Sequence, residues 1–162
     1  HCQITRADQL EKIAKMHLHV YAQSIFLDYD NHIVEERVGK ELASTSYSWK
    51  TLMNNGVSVS NGTDCPVELP DALQCAVTRT TLRDHVGPYL PDQKFTVQEA
   101  LDSYTIRSAE ASFEENVKGQ IAEGMMADFV VLGQNPFEVD ESKIKDIPVC
   151  RTYLGGELVY EA

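Results

Sequence analysis

A short β-prone run that ends in a tight turn beside an acid constrains the fold of this chain more than any other feature. Residues 57–61 read Val-Ser-Val-Ser-Asn, Gly62 breaks the run, and Asp64 follows two residues later. Pro66 then predicts the first turn of a helix, where the missing N–H of proline costs nothing. The unit is a strand, a turn with an acid, and a helix. In parallel α/β folds that end of a strand carries ligands and catalytic groups, so Asp64 is the first candidate catalytic residue.

The size and charge of the chain limit what it can bind. It has 162 residues, enough for one domain with a sizeable core, and 14 basic against 25 acidic residues give a formal charge of −11. We expect no nucleic-acid or membrane partner, because both need a basic surface. The sequence opens on His rather than Met, without a signal-peptide pattern, and its four cysteines form no C-x-x-C pair. We therefore expect a cytoplasmic protein whose true start is missing or processed.

The order of the predicted elements indicates an α/β protein with a β-rich tail. Hydrophobic periodicity predicts helices over residues 7–16, 48–55, 67–82 and 96–113, and strands over 19–26, 57–61, 127–132, 149–154 and 157–160. The polar stretch 28–46 is predicted as a long loop with at most one helical turn. Alternating α and β elements imply parallel strands with crossover helices. Two such strands cannot bury themselves, and a (β/α)8 barrel needs about 250 residues, so we expect a piece of something larger.

Two local patterns fix the ends of predicted elements. Thr96 and Glu99 have the spacing of a capping box, in which the side chain of each satisfies a backbone N–H of the other. The pair Gly155-Gly156, between two β-prone runs, predicts a two-residue hairpin turn. We also expect the tail from about residue 117 to pack its strands against the helix that begins at Thr96.

Three segments carry a resemblance to a known family. Residues 1–3 (His-Cys-Gln) are similar to the H-C-Q that closes barrel strand 6, and residues 61–68 (Asn-Gly-Thr-Asp-Cys-Pro-Val-Glu) to the G-[ST]-D-x-P-V-E after strand 8. Residues 118–132 are similar to the K-G-x-[IL]-x-x-G-x-x-A-D-[FL]-V-V-L entry into a small β domain. In this order and spacing they resemble the amidohydrolase superfamily, and within it the YtcJ-like metal-dependent hydrolases, or amidohydrolase family 3, a branch that includes N-substituted formamide deformylase and AepA-like proteins.

The resemblance implies that the chain is the C-terminal third of a larger protein. Residues 1–115 would be the C-terminal part of a (β/α)8 TIM-type barrel, comprising the end of strand 6 and strands 7 and 8 with their helices. Residues 116–162 would be the C-terminal strands of a small β-sandwich-like domain. Strands 7 and 8 would lack their barrel neighbours, and unpaired strand edges favour pairing with another chain. We therefore expect a homo-oligomer, or association with the missing N-terminal part.

The implied activity is metal-dependent hydrolysis of a C–N bond, in a small non-peptide amide or formamide-like substrate, by a metal-activated water. One or two divalent metals, usually zinc, would lie at the carboxyl ends of the strands. Of the family's ligand positions only two are present, His1 as a neutral imidazole and Asp64 as a carboxylate. Asp64 would also carry the proton during catalysis. Residues 23–28 (Gln-Ser-Ile-Phe-Leu-Asp) depart from a Q-P-x-H form at the exit of strand 7, which indicates a different substrate pocket.

Each candidate also has a simpler interpretation. Asp64 could cap the helix that Pro66 starts, and Glu68 could orient a ligand or be a favourable acid near a helix N-terminus. Gln23 could face the pocket or fill the barrel. The pair His17 and His19 mimics the first metal motif of the superfamily, but it precedes its strand and so belongs to the opposite face; we reject it as the site.

Two other interpretations of the whole chain are alternatives to the hydrolase interpretation. The chain could be a truncated or regulatory protein that keeps the amidohydrolase fold without a complete metal site. It could also be an unrelated flavodoxin-like domain, but that fold does not explain the glycine-punctuated β tail, and the sequence has no glycine-rich phosphate loop.

Overall fold

The computed structural model describes residues 1–67 and 69–162 and contains short helices, a pair of strands and a small β sheet. In chain order the elements are α1 (Ala7–Lys15), β1 (Val20–Ala22), α2 (Leu27–Asp30), α3 (Val34–Ala43), α4 (Trp49–Asn54), β2 (Val59–Asn61), α5 (Leu69–Thr78), α6 (Val97–Tyr104), α7 (Ile106–Ala111), β3 (Phe129–Leu132), β4 (Val149–Leu154) and β5 (Glu157–Glu161). Stretches of 3-10 helix occupy Ser24–Phe26, Pro91–Gln93 and Glu141–Asp146. The predicted mixed α/β class is confirmed.

The strands form two separate sheets. β1 and β2 pair in parallel, with Val20 opposite Val59 and Ala22 opposite Asn61. β3, β4 and β5 form an antiparallel sheet in that order. The parallel pair agrees with the crossover connection predicted from the alternation of helices and strands, and it brings the carboxyl ends of β1 and β2 side by side.

Both strands of the parallel pair contribute side chains to the core. Side chains alternate along β1, so that Val20 and Ala22 are buried whereas Tyr21 points away and is half exposed. Val20 and Val59 pack in one cluster with Leu52 of α4 and Leu73 of α5. The period of two is what a strand buried on one face requires. α4, α6 and α7 pack against β2, which is buried along its whole length.

The predicted loop over residues 28–46 is wrong. Most of this stretch is helical, in α2 and α3. Two features concealed the helices: the segment is rich in charged residues, and Gly39 interrupts α3 with φ 78° and ψ 160°. Val34 and Ala43, at the two ends of α3, are both buried. Tertiary burial of these side chains therefore stabilises a helix that local propensity does not indicate.

Several predicted elements are shorter than their sequence patterns suggested. The strand predicted from residue 19 to residue 26 ends at Ala22, and α5 ends at Thr78 rather than at residue 82. Pro66 lies before α5 as described, so the prediction that it opens the helix is wrong. The helix predicted from residue 96 to 113 is divided at Thr105, whose φ of −116° and ψ of −95° are not helical. Element types were predicted better than element ends.

The tail forms the predicted antiparallel strands, and its hairpin turns at Gly155 and Gly156, both with positive φ. Its main contact with the rest of the chain is the 3-10 helix Glu141–Asp146, which packs on α5 and buries Ile144. A second contact lies at Gly119, where an added Cβ would approach Ala109 of α7 to 2.8 Å. The tail thus reaches the C-terminal half of the helix predicted to receive it, but docks chiefly on α5.

Among the described residues, no helix combines the length and the apolar character that crossing a membrane requires.

Candidate active site

A pocket of about 430 Å³ lies where β1 and β2 end. Its lining comes from the first residue of the chain, from both strand ends and from α7: His1, Tyr21, Ala22, Gln23, Ser60, Asn61, Gly62, Asp64, Ser108 and Ala111. Because parallel strands bring their carboxyl ends to the same edge, residues some forty positions apart share this pocket. Three of the four predicted site residues, His1, Gln23 and Asp64, are therefore brought together.

The imidazole of His1 is held by Gln23. Nδ1 of His1 is in hydrogen-bond contact with Oε1 of Gln23, whose side chain is almost fully buried directly after β1. An amide oxygen only accepts, so the ring donates from Nδ1 and keeps the lone pair of Nε2 free. Histidines that bind metals have their second ring nitrogen occupied in the same way. Gln23 thus orients the ring, which agrees with the pocket-facing interpretation of this residue.

The main chain around His1 is anchored as well. Nε1 of Trp49 donates to the carbonyl oxygen of His1 over 2.9 Å. The backbone N–H of Tyr47 donates to the carbonyl oxygen of Gln3 over 2.6 Å. Ring and backbone of His1 are therefore fixed by different elements, the turn after β1 and the start of α4.

Asp64 stands exposed at the rim of the pocket, in the left-handed region with φ 52°. Aspartate tolerates this conformation better than most residues. Within residues 1–67 and 69–162, no hydrogen-bond donor or cation contacts its carboxylate. The residue directly before α5 lies outside the described residues, so the capping interpretation stays a prediction. The carboxylate of Asp64 is available to solvent and to ligands in the pocket. Glu68, the fourth predicted residue, lies outside the described residues.

Asn61 is a structural residue of the site that sequence reasoning missed. Its Oδ1 accepts hydrogen bonds from the backbone N–H and the hydroxyl of Ser24, at 3.0 and 3.1 Å. Its Nδ2 lies 3.3 Å from the hydroxyl of Ser103 in α6. Asn61 therefore ties the end of β2 to Ser24, the first residue of the 3-10 helix after β1, and to α6. The Asn-Gly pair indicated only a turn.

The rejected histidines lie before β1 and do not line the pocket. His17 is exposed in a turn, with φ 50°. Nε2 of His19 lies 3.0 Å from the hydroxyl of Ser60, and its ring contacts Tyr21 with a centroid distance of 4.9 Å. Burial lowers the pKa of His19, and nearby Glu110 opposes part of that effect. Each has a structural environment that needs no metal.

The donor set suits a divalent metal but does not complete a site. An imidazole and a carboxylate are both ligands of zinc, and both face this pocket. In the part of the chain that the structure describes, no group of three or more His, Cys, Asp or Glu side chains is arranged to hold a metal ion. Zinc sites normally have three or four protein ligands. His1 and Asp64 could therefore supply part of a metal site.

The pocket at the ends of parallel strands and the two ligand-type side chains fit a hydrolase of the amidohydrolase class. The chain matches the amidohydrolase family over residues 1–160, and it belongs to that family. The resemblance of the three sequence segments is thereby confirmed.

Individual relatives give the same result. The amidohydrolase-family protein YtcJ of Bacillus subtilis is 34% identical over 165 residues, which cover 99% of this chain and 31% of the relative. N-substituted formamide deformylase of Arthrobacter pascens is 34% identical over 69% of this chain and 21% of its own length. An uncharacterised metal-dependent hydrolase from Pyrococcus horikoshii superposes with a TM-score of 0.75 at 29% identity, covering 87% of this chain and 29% of that one. The chain spans about a third of the relatives it matches.

Proposed function

We propose that the full-length gene product containing these residues is a metal-dependent hydrolase of a C–N bond in a small amide or formamide-like molecule. The observation that carries the proposal is the shared pocket of His1 and Asp64 at the ends of β1 and β2. The similarity to a formamide deformylase supports the type of bond. Family membership favours this function over a non-catalytic protein that keeps only the fold. We place the reaction in the cytoplasm, as the sequence predicts.

The residues have separate roles in the proposed reaction. A bound divalent metal, zinc in the usual case, would supply a water with a pKa of about 7 and polarise the substrate carbonyl. His1 would present Nε2 to the metal, with its ring held by Gln23. Asp64 would contribute a carboxylate ligand, take a proton from the attacking water and donate it to the leaving nitrogen. Its position at the rim, without another partner among the described residues, suits a group that exchanges protons.

The proposal extends to the parts of the site that this chain does not contain. β1 and β2 would be neighbouring strands of a (β/α)8 barrel formed with residues 1–115, and residues 116–162 would belong to the small β domain. The remaining metal ligands would come from an N-terminal part or from another copy of the chain. The incomplete ligand set and the short two-stranded sheet support this arrangement.

The role of Asp64 is tested by Asp64→Asn in the full-length gene product. We expect the fold and the bound metal to persist and turnover to fall by at least about 10², the lower end for losing acid–base help. Asp92→Asn, which makes the same change of charge at an exposed residue outside the pocket, is the control and should retain activity. The measurements are turnover of N-substituted formamides and metal analysis. Wild-type turnover in folded, metal-loaded Asp64→Asn would contradict the role.

A further inference from the structure

A buried arginine lies among aromatic side chains, one of which is Trp49, the residue that bonds His1. The side chain of Arg79 is 1% exposed, and its guanidinium lies over the rings of Trp49 and Tyr89 at 6.0 and 5.6 Å from their centroids. Nε donates to the carbonyl oxygen of Tyr89 over 2.7 Å, and Nη1 to that of Tyr47 over 3.1 Å. We call Tyr47, Trp49, Arg79 and Tyr89 the arginine cluster.

The arginine cluster is not an ordinary piece of core. No carboxylate of the described residues forms an ion pair with Arg79, and its Nη2 has no hydrogen-bond partner there. Burying a cation without a counter-ion is unfavourable, and burial lowers the pKa of Arg79 to about 10. The planar guanidinium is nevertheless well suited to fixing several groups at once, since its donors diverge in one plane while its faces stack on rings. Here it fixes two backbone carbonyls and two aromatic rings.

The fixed ring of Trp49 points its only donor at the residue that carries the candidate metal ligand. The ring is 1% exposed, and its N–H is bonded to the carbonyl oxygen of His1 over 2.9 Å. Tyr47 adds a backbone bond to Gln3, two residues along the same segment. Cys2, between these anchors, has φ 50° and packs against the core. The path of residues 1–3 is therefore set by the arginine cluster, while Gln23 sets the rotation of the His1 ring.

We propose that Trp49, held in place by Arg79, is a positioning residue for His1: its indole N–H fixes the His1 carbonyl so that the imidazole enters the pocket beside Asp64. This inference rests on the proposed function, because it assigns to Trp49 a part in building the metal site. A functional side chain must be held to within about 0.5 Å of its productive position. A backbone anchor and a side-chain anchor on different elements supply that precision here.

The test compares Trp49→Phe with Tyr47→Phe. The first keeps an aromatic ring beside Arg79 and removes the N–H that binds His1. The second removes a hydroxyl of the same cluster, which donates to Oδ2 of Asp30 over 2.6 Å, and leaves the indole intact. Two quantities are measured. One is the tautomer of the His1 ring, from nitrogen NMR of the 162-residue chain. The other is the affinity of the full-length gene product for Zn²⁺, from competition with a chelator.

Nδ1 of His1 reaches Gln23 only while the His1 backbone is held in place by Trp49. We therefore expect Trp49→Phe to break the contact with Gln23, to release the ring from its fixed Nδ1–H tautomer, and to weaken Zn²⁺ binding about tenfold, the lower end for losing a residue that orients a ligand. Tyr47→Phe should change neither quantity by more than about twofold. A fixed His1 tautomer in Trp49→Phe overturns the inference whatever the metal affinity. If the His1 tautomer is fixed in the wild-type chain and is lost in Trp49→Phe, but the wild-type full-length gene product binds no Zn²⁺, the anchoring role of Trp49 stands and the proposed function fails.

A second measurement covers the case in which Trp49→Phe does not fold. The chain has a single tryptophan, so its indole N–H resonance is unambiguous. In the wild-type chain we expect this proton to exchange with solvent at least about a hundredfold more slowly than a free indole, because it is buried and bonded. Exchange at the rate of a free indole would show that Trp49 does not hold His1.

Discussion

His19 shows how one partly buried side chain links the stability of this chain to pH. Burial lowers its pKa below the ordinary value of 6.5, while Glu110 acts in the opposite direction. Between the lowered pKa and 6.5 the folded chain binds fewer protons than the unfolded chain, so stability rises with pH in that window. The contribution of the neutral ring is therefore complete above pH 6.5 and is lost as the pH falls through the lowered value.

His19→Gln should flatten this dependence. An amide can still bond the hydroxyl of Ser60, but it does not titrate. The measurement is the urea midpoint from about pH 5 to pH 8, the range in which histidine changes charge. His17→Gln, at an exposed histidine two residues earlier, is the matched control and should reproduce the wild-type curve. An unchanged slope below pH 6.5 in His19→Gln would show that other groups cause the dependence.

The candidate site was predictable where the signal is local and not where it depends on the fold. His1 and Asp64 were predicted because they lie in short motifs whose meaning does not need a structure. Asn61, Trp49 and Arg79 were missed, since each acts through partners far away in sequence. Asn61 bonds Ser24, 37 positions away, and Trp49 bonds His1, 48 positions away. Nothing in the neighbourhood of Arg79 indicated that it would be buried.

At the level of elements, the capping box of α6 is the clearest case of a local rule that the structure confirms. The backbone N–H of Glu99 donates to Oγ1 of Thr96 over 3.1 Å, and the backbone N–H of Thr96 donates to Oε2 of Glu99 over 2.8 Å. Thr96→Ala removes the first bond and weakens the second. We expect a loss of about 1 kcal/mol in the free energy of unfolding. Thr96→Ser keeps the hydroxyl and should lose less than half as much; equal losses in urea unfolding would assign the effect to the methyl group.

The same contrast between local and distant causes explains the errors in the predicted elements. The capping box at Thr96 depends on two residues that are three positions apart, so it can be predicted from the sequence. The helix α3 depends on burial of Val34 and Ala43, and the interruption at Gly39 hides its period. The division between α6 and α7 at Thr105 likewise has no sequence signal. Sequence patterns therefore located starts and turns better than they located the elements that packing stabilises.

At the scale of the whole molecule, the antiparallel sheet leaves an exposed edge strand open to association. β1 and β2 form a sheet with no third strand among the described residues, but Val20, Ala22 and all of β2 are buried. β5 is exposed along its whole length, and Leu158, Val159 and Tyr160 each expose about half of their surface. Unpaired strand edges and contiguous apolar patches are typical of surfaces that bind another chain. The relatives, about three times as long, have the additional chain that could cover them.

We therefore expect the isolated 162-residue chain to be inactive, to hold no tight metal and to self-associate. Its pocket offers two ligand-type side chains, His1 and Asp64, where zinc needs three or four. Two ligands give weak binding that dialysis removes, and the exposed edge strand β5 favours pairing with a second copy. The measurements are metal analysis after dialysis and light scattering. The full-length gene product, treated identically, is the control and should keep at least one metal per chain. A stoichiometric metal on a strictly monomeric 162-residue chain would show that its own residues complete the ligand set. The missing ligands would then be residues of this chain near Asp64 and not residues of another chain.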